Sequence, residues 1–89
     1  MKEVPYCYET AIPGTILMIH NEYYLITGYI VQERDRVDVR LATNRAKRGG
    51  PFIWDVNCYC HTWIVKGGNY FNFKAFIPEN VHRNVEDVL

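Results

Sequence analysis

Two cysteines and a histidine stand together in "CYCH", residues 58–61. Thiolate and imidazole are the side chains of zinc sites and of thiol nucleophiles, so chemistry is sought here first. Side chains alternate along a strand, which sends Cys58 and Cys60 to one side and His61 to the other. Zinc takes four convergent ligands, its cysteines usually two to four residues apart, and a site here would have to recruit Cys7 and His20. A C-x-C pair on a strand fits that demand poorly, whereas cysteine packs readily as a small hydrophobe. The expectation is no metal and no cofactor; were a metal held, Cys7, Cys58, Cys60 and His61 would be its first ligands. A thiol enzyme would need His20, His61 or His82 beside Cys58 or Cys60, and no signature supports such a pairing. The chain has no glycine-rich phosphate cradle followed by Lys-Ser/Thr, and the adjacent Glu86 and Asp87 read as solvated surface. The chain is therefore expected not to be an enzyme.

The stronger constellation is basic. "TNRAKRGGPFIW", residues 43–54, places Arg45, Lys47 and Arg48 before two glycines, and Arg36 and Arg40 share the outward side of the preceding segment. Several cations on one surface can meet phosphates or an acidic protein, and Gly49-Gly50 would let a backbone approach closely. Outward rings at Tyr59, Trp63 and Tyr70 could stack on unpaired bases or fill an interface. The stretch is longer than a simple two-strand link, and Pro51, Phe52 and Trp54 can stiffen and anchor its exit. It therefore reads as a contact loop.

Composition bounds these readings. The chain has 89 residues, room for one domain and one core. Seven Tyr, four Phe and two Trp make it 15 % aromatic, more than so small a core readily hides, so some rings should be surface contacts. Ten basic and ten acidic side chains cancel, unlike the strongly basic balance of most nucleic-acid-binding domains. The cancellation is uneven: residues 32–48 are net positive, while 1–31 and 78–89 are net negative. Such polarity steers partners. The first eleven residues lack a continuous apolar run of the signal-peptide kind, no apolar stretch approaches a membrane span, and three cysteines cannot close into a paired framework. These features predict free thiols in a cytoplasmic protein that does not enter membranes.

The positioning elements follow from periodicity. "TILMIH" (15–20) and "YYLITGYIV" (23–31) are strand-like, joined by a tight turn at Asn21-Glu22. Gly28 marks a bulge or bend. "RVDVRLA" (36–42) alternates, with Val37, Val39 and Leu41 inward and Arg36, Asp38 and Arg40 outward. The long run after Pro51 should break near Asn57, with a strand at 58–65. "KGGN" (66–69) signals a hairpin into a last strand at 70–77. Val81, Val85 and Val88 after Pro78 predict a short C-terminal helix. The expected core includes Val37, Val39, Leu41, Ile64, Phe71 and Phe73. The expected fold is mainly β, a small five-stranded antiparallel barrel or curved sheet with that helix at its end.

"PGTILMIHNEYYLITGYIVQERDRVDVRLAT" resembles the first three strands of SH3-like barrels, in which a Pro-Gly-led strand precedes two longer hairpin strands. The short, aromatic-rich chain without a catalytic signature is also similar in general character to small accessory proteins of bacteriophages. That similarity implies a non-catalytic inhibitor of a host or defence-system protein that handles nucleic acid, acting in the host cytoplasm. The sequence thus predicts a small binding protein that covers or modulates a larger protein, through Arg36, Arg40, Arg45, Lys47, Arg48, Tyr59, Trp63 and Tyr70. Direct RNA or DNA binding by the same surface, alone or jointly with the protein partner, is the alternative. A structural homo-oligomer that hides its aromatics is a third reading.

Overall fold

A computed structural model describes residues 1–46 and 49–77. The strands are β1 (Lys2–Val4), β2 (Ile16–Ile19), β3 (Glu22–Gln32), β4 (Arg36–Asn44), β5 (Trp54–Val65) and β6 (Lys74–Ile77). They form one antiparallel sheet in the order β1-β6-β2-β3-β4-β5. The mainly β expectation stands, with six strands among the described residues rather than five: Lys2–Val4, outside the five expected strands, pairs with β6. Among the described residues the one helical piece is a 3-10 turn at Tyr8–Thr10. The short helix expected over 78–89 lies outside the described residues.

Local sequence sets each bend. His20 and Asn21, both at positive φ (51° and 66°), make the β2–β3 turn, one residue earlier than the sequence suggested. β3 slips register against β4 twice, at Thr27 and at Ile30, so the bend expected around Gly28 is two bulges flanking it. β5 bulges at 56–58, opposite the step from Ala42 to Thr43, and its strand pairing resumes beyond it at Asp55 and Trp54. The break near Asn57 is therefore present, and the strand spans it instead of beginning at 58.

The "KGGN" turn forms, but not as a hairpin. Gly67 takes φ 78°, Gly68 N–H donates to the Val65 carbonyl at 2.9 Å, and the Tyr70 ring lies so close over Gly68 that a Cβ there would meet it at 2.8 Å. A second turn, closed by Phe73 N–H on the Tyr70 carbonyl at 3.1 Å, then redirects the chain across the molecule. β6 therefore pairs with β1 and β2, not with β5. Residues 70–73 are not strand, and the alternation read there fails. Phe71 is 88 % exposed instead of buried.

One face of the sheet is the core. Leu17, Ile26, Val37, Val39, Leu41, Ile64 and Ala75 pack together and are closed by Tyr6 and Ala11 from the N-terminal segment. Phe73, expected in the core, packs against it half-buried and lies 5.7 Å from the Tyr6 ring. The segment is tied down by polar bonds: Thr10 Oγ1 donates to the Pro5 carbonyl (2.7 Å), Thr15 Oγ1 to that of Thr10 (2.8 Å), and Tyr29 Oη to that of Ala11 (3.1 Å). These bonds give side-chain partners to backbone carbonyls on either side of the short 3-10 turn.

Candidate binding face

On the opposite face, β4 and β5 carry the polar and aromatic residues. The register sets Arg36 across from Val65, Asp38 from Trp63, Arg40 from His61 and Ala42 from Tyr59. Each polar side chain of β4 leans to the diagonal neighbour on β5. The Arg36 guanidinium lies over the Trp63 ring at 4.6 Å, and that of Arg40 over the Tyr59 ring at 4.4 Å. Between them, His61 Nδ1–H donates to Asp38 Oδ1 at 2.8 Å. Three parallel diagonal pairs thus run along one face, within the reach that cross-strand diagonals allow.

The pairs differ in what holds them. Asp38, outward by alternation, is only 4 % exposed; Arg36 and Arg40 flank it two residues away on β4, Trp63 stands across from it, and His61 bonds to it. A carboxylate so enclosed needs a donor, and His61 supplies it. Arg36 is fixed twice, by Trp63 and by Glu33, whose Oε1 its Nε meets at 2.6 Å. Tyr59 and Trp63 remain 49 % and 39 % exposed. Guanidinium groups held over rings keep N–H donors for carboxylate or phosphate while losing little rotamer freedom on binding.

The structure brings together Arg36, Arg40, Tyr59 and Trp63 of the predicted site. It separates Tyr70, which belongs to the other side of the sheet. Its ring packs against Tyr6 and Phe73 at 5.5 and 6.2 Å, and its hydroxyl accepts the Val65 N–H at 2.8 Å. Arg45 reaches Asp55 at 3.7 Å, an exposed ion pair. Lys47 and Arg48 lie outside the described residues. The contact stretch is shorter than 43–54: Thr43 and Asn44 belong to β4, and Trp54 begins β5. Asn44 Oδ1 clasps the base of the connection by accepting the N–H groups of Ala46 and Ile53, both at 3.0 Å. Phe52 anchors the exit as expected, 4.9 Å from the Tyr23 ring and 5.0 Å from Trp54.

The thiol candidates are scattered. Among the described residues no three His, Cys, Asp or Glu side chains converge as a metal would require. Cys7 lies against Thr10 (Sγ to Oγ1 3.6 Å) in the N-terminal segment and His20 sits in the β2–β3 turn. Cys60 shares the core-side parity of β5, opposite Leu41. Burial, and then Cys58 beside it, pushes its thiol above the usual range, which lowers the thiolate fraction a nucleophile needs. A depression of about 510 Å³ between the N-terminal segment and the 68–73 turn is lined by Cys7 among tyrosines and phenylalanines, with no histidine among the described residues.

The Asp38–His61 pair was not foreseen. Alternation sets Asp38 outward and His61 on the side away from Cys58 and Cys60, but only the register between β4 and β5 shows the two adjacent. Among the described residues no helix is long and apolar enough to cross a membrane. Compared with protein families, with characterised proteins and with solved structures, the chain matches none.

Proposed function

We propose that this chain is a non-catalytic binding protein whose contact surface is the outer face of β4 and β5. The observation that supports this most is the row of stacked pairs, Arg36–Trp63 and Arg40–Tyr59, with Asp38–His61 fixed between them. Arg, Tyr and Trp are the types that dominate interface energetics, and here they are held in place before any partner arrives. The partner proposed is a protein with an acidic surface. Its carboxylates would meet the guanidinium edges, and its apolar groups the exposed parts of Tyr59 and Trp63. Nucleic acid is the weaker reading because one face of each ring is already covered by an arginine, which limits base stacking, and the whole chain is neutral. The resemblance to SH3-like barrels belongs to the same proposal, supported by β2, β3 and β4 pairing in succession. The likeness to phage accessory proteins makes a host protein that handles nucleic acid the first partner to try.

The test is capture from a host lysate by the tagged parent and by Arg36→Ala/Arg40→Ala, with and without nuclease. The expected result is one protein retained by the parent after nuclease treatment and lost by the variant. Capture that disappears with nuclease, and that weakens steeply with salt, would replace the protein partner by nucleic acid.

A further inference from the structure

We infer that β5 is a self-pairing edge, and that two copies of this chain join through it, antiparallel about a two-fold axis at His61. Among the described residues β5 pairs with β4 alone, so its other side is the open end of the sheet. Backbone groups alternate in direction along an antiparallel strand. Lys66 N–H donates to the Asp35 carbonyl on the β4 side, so the even positions of β5 face β4. Tyr59, His61 and Trp63 therefore turn their N–H and C=O groups to the open side.

This open stretch has closed ends. At one end Val65 N–H is taken by the Tyr70 hydroxyl and the Val65 carbonyl by Gly68 N–H. At the other, Asn57 N–H is taken by Asp55 Oδ1 at 3.0 Å. What lies between is a short window of unpaired backbone with no Asp, Glu, Lys or Arg anywhere from Val56 to Val65. Natural edges are usually protected by charge, proline or shortness. The opposite edge, β1, has those protections: it is three residues long, carries Lys2 and Glu3, and is followed by Pro5. β5, twelve residues long, has none of them in its window.

The window is also complementary to itself. Around His61 the outward residues read Tyr59, His61, Trp63, an aromatic on each side of the centre. A two-fold at His61 sets Tyr59 beside the second copy's Trp63, and its Trp63 beside Tyr59, with two backbone bonds at each facing pair. The same register places Val65, whose N–H and carbonyl are both taken, opposite Asn57, whose N–H is taken, so neither end has a donor to extend the pairing. A second copy of the chain is thus the occupant that the window fits along its outward row and in its length. Self-pairing leaves Arg36 and Arg40 on the outer face and joins two such faces into one continuous surface.

Proline at position 61 removes an N–H that β4 does not use. Sedimentation of the parent should show a mass rising with concentration from 10.5 kDa towards twice that value. The Tyr59, His61 and Trp63 amides should become protected from exchange over the same range. His61→Pro should raise the dimer dissociation constant at least tenfold, and His61→Thr, which keeps the N–H, should dimerise. Should the proline variant not fold, Tyr59→Lys/Trp63→Lys sets like charges across the two-fold and should be monomeric, while Tyr59→Lys/Trp63→Glu sets opposite charges and should pair. A parent that is monomeric at every concentration overturns the inference, whether its edge amides exchange fast or are covered by something else. So does a dimer that the folded proline variant, or both charge variants alike, leave intact.

Discussion

β4 presents two faces built from neighbouring residues, and they do opposite work. Val37, Val39 and Leu41 are all within 3 % of complete burial, and they meet Ile64 and Ile26 in the core. Arg36 and Arg40, interleaved with them, are exposed and held by rings and by Glu33. The inner face stabilises by removing apolar area from water, which is non-directional and large. The outer face gains only about 0.5–1 kcal/mol from each exposed cation–ring pair, and its value lies in the geometry it holds ready. Asp38 sits between these regimes, outward in direction yet enclosed.

That contrast is broken first by cavity formation. Leu41→Ala should cost about 2–5 kcal/mol in chemical denaturation, a large share of a small domain's stability; a loss near that of Arg40→Ala would erase the distinction between the faces. Next comes the intermediate case. His61→Ala removes the donor to an enclosed carboxylate and should cost about 1–3 kcal/mol, and Asp38→Asn in the same chain should recover part of it. A His61→Ala variant as stable as the parent would show that Asp38 is effectively solvated.

The tyrosines sharpen the comparison through pH. Tyr6 has a buried hydroxyl with no hydrogen-bond partner among the described residues, and burial first, then Tyr70 and Cys7, pushes its phenol far above the usual range. Burial also raises Tyr24 and Tyr29. A raised folded value means that the stability linked to the neutral phenol is whole below the unfolded value near 10 and is lost as pH climbs beyond it. Tyr6→Phe should be neutral or slightly stabilising at pH 7 and should flatten the alkaline loss; an unchanged alkaline limb would contradict this. The smallest effect is expected at Phe71, whose ring is 88 % exposed: Phe71→Ala should alter stability by less than about 0.5 kcal/mol.

What the sequence made legible follows the same division. Alternation in "RVDVRLA" assigned both faces of β4 correctly, because one strand half-buried in a sheet must repeat with period two. The same rule failed at 70–73, where the Tyr70 ring over Gly68 and the bond from Val65 N–H fold the chain into a second turn. An alternation pattern does not reveal that an amide five residues back will capture the hydroxyl. Arg36, Arg40, Tyr59 and Trp63 were found as outward residues, yet their pairing depends on register across a nine-residue connection with a bulge at 56–58. For that reason the Asp38–His61 bond stayed hidden, and Tyr70 was grouped with a face it does not share.

The outer face is the part of the account on which function depends, and one measurement addresses it directly: the affinity of Arg36→Ala/Arg40→Ala for the partner that the parent captures. The account predicts binding weakened at least tenfold, equivalent to about 1.4 kcal/mol, in a variant that stays folded, its melting temperature lowered by about 4–16 °C because the two cation–ring pairs together contribute about 1–2 kcal/mol. Parent-like affinity in a folded double variant would contradict it and move the contact surface away from β4 and β5.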